Sequence, residues 1–140
     1  MTIRDTIFFA GLGQLCLAAA SLAIPRVLRW GEDLAQLRPL TRQVFWTYAA
    51  YIWGTNLFFG IVSIVMPDEL ANHSHLSTAL CTFITLYWFA RVVIQFTYFD
   101  RSEAPAGKLL VVAEWVLVAL FVAFTAVYGC AAWYNFGALA

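Results

Sequence analysis

Four long apolar runs, each closed by a break that carries proline or charge, organise this chain. They cover residues 6–24, 43–66, 77–99 and 109–131. Each is close to the ~20 helical residues that cross a hydrocarbon core about 30 Å thick. Pro25 ends the first, "MPDE" with Pro67 ends the second, and "DRSEAPAGK" from Asp100 to Lys108 separates the third from the fourth. The pattern predicts an all-α integral membrane protein, a four-helix bundle forming one domain over residues 1–140. The first run is short and ends in small residues, as a secretory signal does. Arg4 is offset by Asp5, however, and the arginine cluster follows the run instead of preceding it, so a retained helix is expected.

Between Pro25 and Pro39 the period changes. At 100° per residue Val27, Trp30, Leu34 and Leu37 share one face of "RVLRWGEDLAQLR", with Arg29, Glu32, Asp33 and Gln36 opposite. An amphipathic interfacial helix over about 26–38 is therefore expected, lying on the membrane surface between the first two spans. Gly31 is its weak point, since glycine costs about 1 kcal/mol in a helix interior.

Composition supports the same class. The chain is 63% hydrophobic and 11% charged, against about 25% charged in ordinary soluble domains. Its net formal charge is zero, which leaves no basic patch for a nucleic-acid partner. The distribution of charge is more informative than its sum. Arg26, Arg29, Arg38 and Arg42 lie in or beside the first connection, and Arg101 and Lys108 in the third, whereas "PDELANHSH" and the tail "WYNFGALA" hold no Lys or Arg. Basic residues near helix ends stay in the cytoplasm, so both termini are expected outside it, in a bacterial inner (plasma) membrane.

Helices in lipid associate through small residues and polar side chains. Gly11, Gln14, Ala18 and Ser21 share a face of the first run, and Ala49, Asn56, Gly60 and Ser63 share a face of the second, with Trp53 at its edge. Gln14, Asn56, Gly60 and Ser63 are thus the expected packing residues. The third run has two polar sides. Thr78, Thr82 and Thr85 form one, and threonine can satisfy itself on its own helix carbonyls. Tyr87, Arg91, Gln95 and Tyr98 form the other.

Arg91 stands nine residues before Asp100 and Glu114 six after Lys108, which puts them ~13 Å and ~9 Å below one surface. An ion pair between two antiparallel neighbours is one reading of these charges. The other is a site for a lipophile such as a lipid headgroup or quinone, built from Arg91, Gln95, Tyr98 and Glu114 with Trp88 beside them. A proton path is disfavoured, because Glu114 has no acidic or histidine residue in series with it.

Other chemistry is weakly represented. His73 and His75 lie near Asp68 and Glu69, but an HxH spacing without a third firm ligand reads as solvated loop, so no metal is assigned. No cofactor is assigned either. The runs hold no histidine that would carry a haem, and no GxSxG, Walker A, HExxH or CxxC occurs. Cys16, Cys81 and Cys130 read as small core residues, with a Cys81–Cys130 disulfide the minor alternative. The leading expectation is a non-catalytic subunit or accessory protein that packs as a homo-oligomer or in a larger membrane complex. The rival is a lipid- or quinone-binding protein, transporter or enzyme.

Overall fold

The computed structural model describes residues 1–98 and 107–137. The described residues are helical, without strands. α1 (Ile3–Ser21) is followed by two short turns, α2 (Ile24–Val27) and α3 (Trp30–Asp33), then by the long helices α4 (Pro39–Val65), α5 (His75–Thr97) and α6 (Lys108–Gly137). Four helical segments are long and apolar enough to cross a membrane, with α2 continuing the first of them.

Local chemistry sets where they begin. Thr2 caps α1 and forms a reciprocal capping box with Asp5, and Ser74 and Ser77 do the same for α5. Pro39 occupies the first turn of α4, where its missing N–H costs nothing. This starts α4 four residues before the apolar run. α6 extends six residues past the expected end at residue 131, because its buried stripe of Val118, Phe121, Phe124, Tyr128 and Ala131 continues in register to Asn135. The expected third-run end at residue 99 and Arg101 lie outside the described residues.

The amphipathic helix over 26–38 is not continuous, and this expectation is corrected. Arg29 takes a left-handed conformation, φ 52°, which ends α2 and reverses the chain. Leu34–Gln36 then form a single 3-10 turn. The reversal seats Trp30 edge-on against Phe45 and Trp46, at 4.9 and 5.9 Å, and buries Leu34, while Val27 and Leu37 stay exposed. The break thus falls at Arg29 and not at Gly31. An exposed pair from Arg29 to Glu32 spans it.

The long helices run alternately up and down. α1 packs on α4 and α6, and α5 packs along α6. α4 meets α5 through aromatic rings, Phe59 lying 6.0 Å from Phe83 and 5.2 Å from Tyr87. One end of the bundle is capped by the 66–74 connection. Arg4 of α1 pairs with Asp68 at 2.9 Å, and Asn135 of α6 bonds to Leu70, so the first and last helices both meet that connection.

α1 and α4 cross at two glycines. A Cβ on Gly11 would stand 2.8 Å from Ser63 Cβ and 3.0 Å from the Gly60 carbonyl, and one on Gly60 would stand 2.6 Å from Leu15 Cδ2. Such close backbone approach is how helices gain packing contacts without a hydrophobic driving force.

Candidate functional site

The interior of this bundle is mainly apolar but encloses a few polar side chains, while its exterior carries large apolar ones. Gln14, Ser63 and Asn135 are fully buried, whereas Leu76, Leu109 and Trp133 are each more than three-quarters exposed. Most of the buried polar side chains gather in two knots. In the first, Gln14 Nε2 donates to the Tyr128 hydroxyl at 2.7 Å, and that hydroxyl shares a short hydrogen bond with Ser63 Oγ. α1, α4 and α6 are thereby joined at one point. Gln14 Oε1 is buried without a hydrogen-bond partner among the described residues.

The second knot fastens the cap. Asn135 Nδ2 donates to the Leu70 carbonyl at 2.7 Å, and Asn135 Oδ1 accepts the His73 N–H at 3.1 Å. Cys81 Sγ also contacts the Leu70 carbonyl, at 3.5 Å. His73 adopts φ 59° and sets its ring 4.5 Å from that of Tyr134. His75 is exposed at the first position of α5. No three His, Cys, Asp or Glu side chains among the described residues converge to hold a metal. Cys81 is buried, Cys16 and Cys130 are exposed, and all three are free thiols, so the Cys81–Cys130 disulfide is not formed.

Of the predicted packing residues, Gly60 is buried with Gln14 and Ser63. Asn56 is partly buried, its Oδ1 lacking a partner among the described residues. Trp53 reaches across instead, its indole donating to the Ala18 carbonyl at 3.0 Å. Two residues carry the knots unseen from the sequence. Tyr128 sits in the most apolar run and reads there as an aromatic core residue. Asn135 lies beyond the expected helix end. For both, the signal is the three-and-four spacing of the α6 stripe.

Arg91, Gln95 and Glu114 come together on the seam of α5 and α6, toward the end opposite the cap. Gln95 Nε2 donates to Glu114 Oε1 at 3.0 Å. The Arg91 guanidinium lies 5.7 Å from the Phe121 ring centroid, within range of a cation–π contact. Trp88 is 1% exposed and stacks on that same ring at 5.3 Å and 23°. Tyr98, at the end of α5, is 79% exposed. The set offers a guanidinium, an amide and a carboxylate beside aromatic faces. It can receive a polar head group or hold α5 and α6 in rotational register.

The opposite polar side of α5 is self-contained. Thr78, Thr82 and Thr85 each donate to the carbonyl four residues back, at 3.0, 2.7 and 2.7 Å. An open groove of about 290 Å³ runs between these threonines and Gly129, Ala132 and Trp133 of α6.

Fold and interior define the class: an all-helical chain whose four long apolar helices suit a small membrane protein. Comparison with protein-family models, characterised proteins and solved structures finds no match.

Proposed function

We propose that the chain is an integral membrane protein acting as a small non-catalytic subunit or accessory protein, packed against a second copy or a larger membrane complex. The observation that supports this reading is the N-terminal part of α4. No residue from 39 to 58 is buried, although the stretch carries Gln43, Thr47, Tyr48 and Tyr51. Polar and aromatic positions of this kind, held away from their own bundle, suit contact with another helix. Native mass spectrometry after gentle extraction tests it. A homo-oligomer or a stable larger complex is expected, and Tyr51→Arg should weaken it. A monomer that captures nothing on cross-linking removes the reading.

The second reading is a lipophile site for a lipid or quinone around Arg91, Gln95, Tyr98 and Glu114, in a transporter or an enzyme. It is favoured by the Gln95–Glu114 bond beside Arg91 on one seam. Its test is Arg91→Ala: binding of a defined lipid or quinone should fall in a folded variant, and unchanged binding rejects it. Loop charge supports a bacterial inner membrane with both termini non-cytoplasmic. Accessibility of Cys130 and of a cysteine introduced at Arg38, measured from each side, checks that orientation.

A further inference from the structure

The groove between α5 and α6 plays no part in either reading of function above. It is short: Thr78 to Thr85 advances seven residues, or ~10 Å along the helix axis, about a third of a ~30 Å hydrocarbon core. Its threonine wall offers no free hydroxyl proton, since all three hydroxyls donate to their own helix. An occupant therefore meets an apolar surface.

The opposite wall has no side chain at Gly129, where an added Cβ would stand 3.6 Å from Thr85 Cγ2, an ordinary contact. The helices are thus in ordinary contact here, unlike the close crossing at Gly11 and Gly60. The groove is left between two well-packed helices. At the capped end Trp133, 77% exposed, forms the rim. Tryptophan at that position in a membrane helix sits at headgroup level.

Size decides the occupant. Taking a methylene to fill about the ~30 Å³ of one water molecule, the 290 Å³ groove holds roughly ten. A second helix is 10–12 Å across with its side chains and does not fit inside. A groove only ~10 Å long also cannot by itself supply the ~800 Å² per partner that a stable protein interface buries. Resting on the membrane reading, we infer that this groove is the seat of one acyl chain of a bilayer phospholipid, in the leaflet on the capped side, with Trp133 beside its glycerol region.

The test uses the full chain and phosphatidylcholine. Native mass spectrometry after detergent washing is expected to find one retained phosphatidylcholine on the wild type. Gly129→Leu and Thr82→Leu fill the groove from opposite walls and should each lower retention roughly ten-fold, the change that about 1.4 kcal/mol produces. Equal retention in the folded variants overturns the proposal. So does a dimer mass that both variants abolish, which would make the groove a seat for a second copy. Quenching by dibrominated phosphatidylcholine in nanodiscs, compared with Trp133→Phe, gives a readout that does not depend on those variants. Trp133 unquenched while other tryptophans respond overturns the groove alone. If none of the six tryptophans is quenched, the membrane reading falls with it.

Discussion

The capped half and the open half of this bundle are built from the same four helices, yet they are organised differently. Near the 66–74 connection α1, α4, α5 and α6 all contribute buried residues, around the Gln14–Tyr128–Ser63 and Asn135 knots. Toward the other end α4 from 39 to 58, α5 from 89 to 97 and α6 from 108 to 117 contribute none. The ionisable pair of the α5–α6 seam, Arg91 and Glu114, lies on that second side. Buried packing by α4, α5 and α6 is therefore concentrated in one half, and their stretches in the other half leave most side chains open. Substitutions can break this contrast.

The largest effect is expected at the glycine crossing. Gly11→Val places a branched side chain where even a Cβ meets Ser63 Cβ, Ile64 and the Gly60 carbonyl at 2.8–3.0 Å. Backbone cannot yield as a flexible side chain can, so α1 and α4 must separate. A loss of about 3 kcal/mol or more is expected, read as a collapse of the unfolding midpoint. A folded Gly11→Val with near-normal stability would show that the crossing is not close-packed.

Next comes the cap. Asn135→Ala leaves the part-buried His73 N–H without its present partner and the buried Leu70 carbonyl with only the Cys81 Sγ contact. Each such group costs about 1–3 kcal/mol, so a loss of about 2–3 kcal/mol is expected. Amide exchange at His73 should accelerate while exchange at Gly54 stays unchanged. Equal acceleration at both would mean that the two halves unfold as one unit.

Tyr128→Phe is smaller, because it removes one hydroxyl and keeps the ring. Gln14 and Ser63 lose a shared partner, and a loss of about 1–2 kcal/mol follows. A double-mutant cycle with Ser63→Ala isolates the pair, for which buried interhelical bonds in membranes suggest about 0.6 kcal/mol of coupling. Zero coupling would mean that the short Ser63–Tyr128 bond adds nothing to the fold.

How much of this was readable in advance depends on which physical signal each residue carries. The four helices were legible because twenty apolar residues in a row have few alternatives. Gln14 and Ser63 stood out as polar residues inside such runs, where lipid exposure is costly. Tyr128 did not, since an aromatic ring in an apolar run is its own explanation. Its role as hydroxyl partner depends on which helices α6 touches, and no single-chain period encodes that. Asn135 was hidden by the end of the apolar run, although the buried stripe continued to it. The break at Arg29 was not legible: the period reads as one helix over 26–38, and propensity marks only Gly31 as its weak point. What decided it was the docking of Trp30 on Phe45 and Trp46 and of Leu34 in the interior, contacts made after the turn. The Arg91, Gln95 and Glu114 set was legible as a depth match between antiparallel neighbours, while the groove beside Gly129 was not, because the surface relief between two packed helices leaves no mark on a sequence.

The smallest effect tests the open half directly. Gly54 lies on α4 five residues before Phe59, the helix's first buried residue, and a Cβ there meets nothing within 4 Å. The backbone has no need of glycine at this position, since it is mid-helix and no glycine in the described chain has positive φ. Gly54→Ala should then raise stability by about 0.5–1 kcal/mol in the isolated chain, by helix propensity alone. The sign is the informative part. If the glycine admits a partner helix, the same change should weaken the complex while stabilising the monomer. Measuring the midpoint of unfolding and the oligomer fraction on one sample separates these terms. A gain in stability with no change in assembly would leave Gly54 outside any interface and move the partner surface along α4 toward Tyr48 and Tyr51.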